Sequence, residues 1–412
     1  MRCWCTIGWL ACVLAGLTGC RSAMLETGFE TDPVRDGWRT GVFGGPLFAG
    51  DWVETNAWRG RHCLAVRAGL WESPALPVEP FAYYRVSFAY KAVKPGFRLV
   101  RYSDAAGNQL VADDHDILDP SPDWTVGEFW TQAREGSASM RAAFGASGAE
   151  VFVDGVRIER ATSRQVLSAA DRLYGTLPPL RCVPEPDRWK RLPRTRQLLD
   201  EGKPLRVLLL GDSIANDIGN SLFDALIESM YPGAQITLLR SIRPGTGCVY
   251  YREHVKEYVI DKEPDLVVIA GISHDCDPAA MRSVAEQTRQ AAKKPVDFLV
   301  MTGAVIEPGM SSQWKSKGLD CPPVAVRQQA VVAEARFYAE LVSIRDEVPW
   351  ATLDMRTIWE DYLAHSPWPR QWYQRDFVHA NARGKQILGR ILQEFFRPGI
   401  EGQPGSGPRE AR

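Results

Sequence analysis

The segment Arg206-Val-Leu-Leu-Leu-Gly-Asp-Ser-Ile214 constrains the fold more than any other stretch of this chain. An apolar run of strand length ends abruptly in Gly-Asp-Ser, where a helical pattern begins. That places a serine hydroxyl at a sheet edge, beside the free backbone N–H groups of the following turn. A nucleophile and part of an anion-stabilising site then come from one local structure.

The surrounding sequence alternates strand and helix. The candidate strands are Leu205 to Leu210, Gln235 to Leu239, Asp265 to Ala270, Asp297 to Thr302 and Ala351 to Met355. Helical patterns lie near Ile218 to Met230, Ala279 to Lys293, Val324 to Asp346 and Gly384 to Phe396. This order predicts an α/β unit, a parallel sheet with helices on both faces, whose ligands bind beyond the carboxyl ends of the strands.

Far downstream, Asp376-Phe-Val-His379 offers a carboxylate and an imidazole just ahead of another amphipathic helix. A serine is a poor nucleophile at neutral pH unless a base takes its proton, and His379 is the best-placed candidate among the six histidines. Asp376 would hold the ring through its other nitrogen. The alternatives are plain: Ser213 as a helix N-cap, and Asp376 and His379 as a capped surface loop.

Four segments in order resemble the blocks of the SGNH, or GDSL, hydrolases: Gly211-Asp212-Ser213, Pro244-Gly-Thr-Gly247, Gly271-Ile-Ser-His274 and Asp376-x-x-His379. The resemblance covers residues 203–397 and implies a flavodoxin-like three-layer α/β/α hydrolase domain with an esterase site. It implies Ser213, Asp376 and His379 as catalytic residues, and an oxyanion hole from the Ser213 and Gly245 amides, with Gly247 the near alternative to Gly245. The third block departs from the family, which places Asn where Ser273 stands. Either Ser273 or His274, the latter oriented by Asp275, would then supply the missing donor.

The N-terminus reads as a targeting segment. Arg2 precedes an apolar stretch from Ile7 to Gly16, and Leu17-Thr-Gly-Cys20 resembles a bacterial lipobox. Residues 1–19 are therefore expected to be a lipoprotein signal peptide, with Cys20 lipidated and the protein held at the cell envelope, periplasmic or surface-exposed; an ordinary secretory signal is the alternative. Export makes disulfides feasible. The remaining Cys63, Cys182, Cys248, Cys276 and Cys321 lack the close pairing of zinc sites, so no metal is expected. Cys248 and Cys276 both follow strands on the site's rim, as a bridge or as buried thiols.

Residues 25–160 carry short alternating segments such as Tyr84 to Tyr90, Phe97 to Tyr102 and Glu150 to Ile158, separated by Gly, Pro, Asp and Asn. This predicts an all-β sandwich. Trp58 to Val66 and Val153 to Ile158 resemble a galactose-binding-type jelly roll, which implies a fold rather than a ligand. A proline-rich linker with a short helix near Lys190 to Glu201 fills 161–202, and 398–412 reads as a disordered tail.

A net charge of −1 over 412 residues, without a long basic run, gives no footprint for nucleic acid. Trp359, Trp368, Trp372 and Tyr373 precede Asp376, while Tyr250 and Tyr251 follow the glycine turn. Such rings stack on sugars and also fill cores. Together with export and a jelly-roll domain they favour a carbohydrate ester, most simply O-acetyl groups on a glycan, hydrolysed without a cofactor. The alternatives are an esterase or lysophospholipase acting on lipids or small esters, and a catalytically inactive glycan-binding surface lipoprotein.

Overall fold

The structure, a computed structural model, describes residues 23–41, 50–111, 113–270, 277–305 and 324–399. The signal segment with Cys20, the third block with Ser273 and His274, and Cys321 lie outside the described residues, as does nearly all of the tail.

Among the described residues the first half is an antiparallel β-structure of ten strands. They are β1 (Leu25–Thr27), β2 (Arg39–Gly41), β3 (Asp51–Val53), β4 (Cys63–Glu72), β5 (Leu76–Pro77), β6 (Tyr83–Ala92), β7 (Gly96–Ser103), β8 (Asp114–Leu118), β9 (Ser121–Gln132) and β10 (Ser139–Ala161). Alternation builds the core: Tyr84, Val86, Phe88 and Tyr90 of β6 all point into one apolar cluster. The long β10 joins the layers, pairing with β4, β5, β6, β7 and β1 in turn. Its inward residues change parity along the way. Met140, Ala142, Phe144 and Ala146 are followed by Val151 and Val153, then by Val156 and Ile158. Each change coincides with a register shift, between Ser147 and Val151 and between Asp154 and Arg157, so bulges keep the apolar face inward while the strand bends.

The second half contains a five-stranded parallel sheet: β11 (Pro204–Gly211), β12 (Gln235–Ile242), β13 (Leu266–Ala270), β14 (Asp297–Met301) and β15 (Ala351–Leu353). Its spatial order, β12-β11-β13-β14-β15, is the doubly wound order of flavodoxin-like sheets. The inner strands each feed two cores. Val207 and Leu209 of β11 face one cluster and Leu208 and Leu210 the other, and Phe298 and Val300 oppose Leu299 and Met301 in the same way. A strand buried on both faces has to be continuously apolar, which is why the segment before Gly211 reads as an unbroken run.

Among the described residues the α-helices are α1 (Ser163–Tyr174), α2 (Arg188–Arg191), α3 (Pro193–Asp200), α4 (Ser213–Gly219), α5 (Phe223–Glu228), α6 (Cys248–Glu253), α7 (Val255–Tyr258), α8 (Pro278–Ala291), α9 (Val324–Ser343), α10 (Met355–His365) and α11 (Ala382–Phe395). Four differ from expectation. The helix expected from Ile218 to Met230 is two helices, because Arg240 of β12 donates to the Gly219 carbonyl and the Asn220 side chain, each at 2.6 Å, and Leu222 turns left-handed at φ 61°. The single short helix expected near Lys190 to Glu201 divides where Pro193 opens α3. Met355 belongs to α10 rather than to a strand, since Asp354 caps that helix. The presumed linker holds α1, opened by a capping box of Thr162 and Gln165. Among the described residues no helix is long and apolar enough to cross a membrane.

The two halves meet through buried polar contacts. The Tyr83 hydroxyl (2.6 Å) and the Gln132 amide (2.8 Å) donate to Asp224. Lys385 of α11 donates to the His115 carbonyl at 2.9 Å and lies 3.3 Å from both Asp114 and Asp116. Burial pushes the Asp114 carboxyl up, but Lys385, Arg98 and Arg134 outweigh it and bring the group down to about 2.

Candidate active site

Gly211 ends β11 where only glycine fits: a Cβ there would lie 2.3 Å from the Ala270 carbonyl of the neighbouring strand. The Gly211 carbonyl accepts from the Arg243 N–H at 3.0 Å and the Tyr251 hydroxyl at 2.7 Å, fixing the turn. Asp212 is buried and caps α4, its Oδ1 accepting from the Ile214 N–H at 2.9 Å. Ser213 is thus the first helical residue, half-buried at the carboxyl edge of the sheet.

His379 arrives from the other end of the chain on a hairpin between α10 and α11. Gln374 pairs with Ala380, the Arg375 N–H donates to the His379 carbonyl at 3.0 Å, and the Gln374 amide donates to the Val305 carbonyl at 2.6 Å. Asp376 and His379 occupy the tip. There the three candidates meet. His379 Nε2 lies 2.8 Å from Ser213 Oγ, and Nδ1 lies 3.0 and 2.9 Å from the two oxygens of Asp376. Asp376 Oδ1 also accepts from the Val378 and His379 N–H groups, both at 2.8 Å.

The Asp376 side chain keeps 42% of its surface accessible. The surrounding protein still pushes its carboxyl up, but the His379 hydrogen bond and charge, the Val378 N–H and the Arg375 charge outweigh that and bring it down to about 2. An ionised Asp376 accepting from Nδ1–H leaves Nε2 as the acceptor toward Ser213, the tautomer that proton abstraction from a hydroxyl requires.

Gly245 lies exposed on the loop after β12, with φ 69° and no atom of the described residues within 4 Å of where a Cβ would stand. Gly247 is buried and precedes α6. Ser273, His274, Asp275 and Cys276 lie outside the described residues, so the third block and a Cys248–Cys276 bridge do too. Cys63 and Cys182 are free thiols. Among the described residues no group of three or more His, Cys, Asp or Glu could hold a metal ion.

Of the six aromatic rings, Trp359, Tyr373 and Tyr251 are fully buried core residues. Tyr250 is half-buried, stacked on His254 at 4.1 Å with the Arg243 guanidinium 4.5 Å from its ring centre. Trp368 is 46% exposed and stacks on Trp372 at 5.0 Å and 13°. Arg383 lies 4.0 Å from the Trp372 ring centre and is paired with Asp119 of the β-domain at 2.7 Å.

Sequence reasoning passed over Asn216, Asp217 and Arg375. Asn216 ties α4 to the antiparallel half, donating to the Asp113 carbonyl at 2.8 Å and accepting from Arg134 at 3.2 Å. Asp217 and Arg375 pair at 2.7 Å between that helix and the hairpin. Asp217 is one helical turn after Ser213 and Arg375 directly precedes Asp376, but nothing local in the sequence marks the two as partners.

No family model matches the chain, and no curated protein does. Among solved structures the chain is similar to a two-domain esterase (CEX) active on acetylated mannans, at 15% identity and a TM-score of 0.38, covering 53% of this chain and 57% of that one. It is also similar to the CBM22-1 xylan-binding domain from Paenibacillus barcinonensis, at 16% identity and a TM-score of 0.27, covering 34% and 95%. A third similarity is to the enzymatically active domain of bacteriophage CBA120 tailspike protein 4, at 11% identity and a TM-score of 0.27, covering 30% and 19%. The chain therefore spans less than two thirds of the esterase and about a fifth of the tailspike domain.

Proposed function

We propose that this chain is a serine ester hydrolase of the SGNH type whose preferred substrates are O-acetyl groups on carbohydrates. The observation that carries the reading is the continuous chain from Ser213 Oγ through the His379 ring to Asp376, with bonds of 2.8 to 3.0 Å. It also favours an active enzyme over an inactive binding protein.

In this reaction Ser213 Oγ attacks the ester carbonyl while His379 Nε2 takes its proton. The tetrahedral intermediate collapses, the sugar oxygen leaves with the proton returned by His379, and an acetyl-serine remains. Water, activated by the same imidazole, then releases acetate and restores the hydroxyl. Asp376 stays ionised and stabilises the imidazolium. The Ser213 and Gly245 amides face the oxyanion, with Ser273 or His274 standing in for the family's Asn. The exposed Trp368 face, backed by Trp372, offers a flat platform for a sugar ring.

The localisation belongs to the same proposal: Cys20 carries lipid and anchors the protein to the envelope. Cys20→Ser should release it from the membrane fraction; a mature protein that begins elsewhere and bears no acyl chain contradicts the anchor without touching the chemistry. The activity itself is tested by acetate release from acetylated glycans, alongside aryl esters of short and long acyl chains. Release from the glycan and the short esters is expected. Preference for long acyl chains would make this a lipid esterase, and glycan binding without acetate release would make it a binding protein.

A further inference from the structure

Ser213 and Asp217 stand at i and i+4 of α4, so their side chains share one face of the helix. That face meets the hairpin carrying the base. Asp217 is buried, with 1% of its side chain accessible, and both oxygens are used. Oδ1 accepts from Arg375 Nη1 at 2.7 Å and Oδ2 accepts from the Ala380 backbone N–H at 2.9 Å. The same Arg375 nitrogen donates to the Ala380 carbonyl at 2.7 Å, and the Arg375 backbone N–H donates to the His379 carbonyl at 3.0 Å. Arg375 and Ala380 flank the Asp376 to His379 tip on its two sides. One carboxylate, a single turn from the nucleophile, therefore holds both ends of the loop that carries the base.

A buried ion pair is an inefficient source of stability, because desolvating two charges consumes most of their attraction and a well-packed apolar pair of similar volume is often as stable. What such a pair does supply is a fixed geometry. Here it spans the two segments whose separation sets the 2.8 Å contact between His379 Nε2 and Ser213 Oγ. A misplacement of about 1 Å at such a contact can cost about 100-fold in rate.

We infer that Asp217 and Arg375 are positioning residues, a clamp that holds the base at proton-transfer distance from the nucleophile; the inference rests on the serine esterase reading. Neither touches the reacting atoms. The role differs from simple structural support in a measurable way, because restoring stability without restoring the clamp should leave catalysis impaired.

The test uses the full chain with Asp217→Asn, Arg375→Lys and the double variant Asp217→Leu with Arg375→Met. Three quantities are measured: kcat and KM on an aryl acetate, the rate of fluorophosphonate labelling at Ser213, and Tm. Each single variant should lose about 10- to 100-fold in both kcat and labelling rate while KM stays within about twofold. The double variant should regain the wild-type Tm without regaining kcat. Where Asp217→Asn does not fold, Arg375→Lys, which keeps the charge but loses the fork, decides by the same readings. Single variants with wild-type kcat, or a double variant whose kcat returns with its Tm, overturn the clamp. A wild type that is not labelled at Ser213 overturns the esterase reading and the clamp with it, whereas a labelled wild type with unaffected variants overturns the clamp alone.

Discussion

The α4 side of the candidate site and the β12 side are built on opposite plans. On the first, Ser213, Asp217, Arg375, Asp376 and His379 are joined by bonds of 2.7 to 3.0 Å, and Asn216 ties the same helix to the β-domain. On the second, Gly245 lies exposed at φ 69°, with no atom of the described residues within 4 Å of where a Cβ would stand. On the proposed reading, the difference follows from what each side would have to do. A nucleophile and its base work only at a fixed separation, so their side chains are held from several directions. An oxyanion donor can be a bare amide, and the space beside it has to be left for the substrate.

If that division is right, mutations on the bonded side should be the most damaging. Ser213→Ala and His379→Ala should each lower kcat by about a million-fold, and combining them should cost little more, because residues that act as a unit are strongly non-additive. Additive losses, read from kcat of the two single variants and the double, would break the unit into separate effects.

Asp376→Asn should cost about 10,000-fold in kcat, since the amide stabilises the wrong tautomer of His379. Folding should survive, as the side chain is 42% accessible. A loss below about tenfold would show that the hairpin's backbone alone orients the ring.

The open side should respond less. Gly245→Ala forces a Cβ into a left-handed conformation, displacing the loop rather than filling a core, and should lower kcat by about 10- to 100-fold with Tm nearly unchanged. Gly247→Ala is the companion variant. If it is the more damaging of the two in kcat, the donor is at 247 and the comparison has to be redrawn around a buried glycine.

The smallest effect separates the sides by pH. The folded carboxyls of Asp376 and Asp114 lie below their ordinary value of 3.8, near 2, so their contribution to stability is present above about pH 4 and is lost as pH falls toward 2. Glu228 runs the other way. Burial raises its carboxyl from 4.5 to about 7, so its contribution is fully present below about pH 4.5 and is lost as pH rises through 7. Tm measured against pH should fall on the acid side in the wild type and fall less in Asp114→Asn. Glu228→Gln should flatten the alkaline side, and Gly245 variants should leave both slopes unchanged.

Much of this architecture was legible in the sequence because burial writes itself into residue type. Strands covered on both faces are rich in apolar residues, so β11, β13 and β14 could be read within a few residues, and the alternation of β6 gave away its half-covered sheet. Ser213, Asp376 and His379 stood out in the sequence as residue types suited to the proposed chemistry, and the structure links their side chains by contacts of 2.8 to 3.0 Å. The break between α4 and α5 could not, since it depends on Arg240 arriving from the adjacent strand. Nor could the buried bonds of Asn216 and Asp217. Their partners lie 103 and 158 residues away, and no local pattern marks a polar residue whose partner is distant in sequence. For the aromatic residues the sequence could not separate core from surface: Trp359 and Trp368 are nine positions apart, yet one is fully buried and the other half-open.

The central claim is that Ser213 is a nucleophile because His379 makes it one. It is tested most directly by incubating the wild type, Ser213→Ala and His379→Ala with a fluorophosphonate and following the labelled peptide by mass spectrometry. The account predicts a single label on Ser213 in the wild type, none in Ser213→Ala, and a labelling rate in His379→Ala reduced by at least about a thousand-fold. A label on another residue, or a Ser213 labelling rate that does not change when His379 is removed, would contradict it.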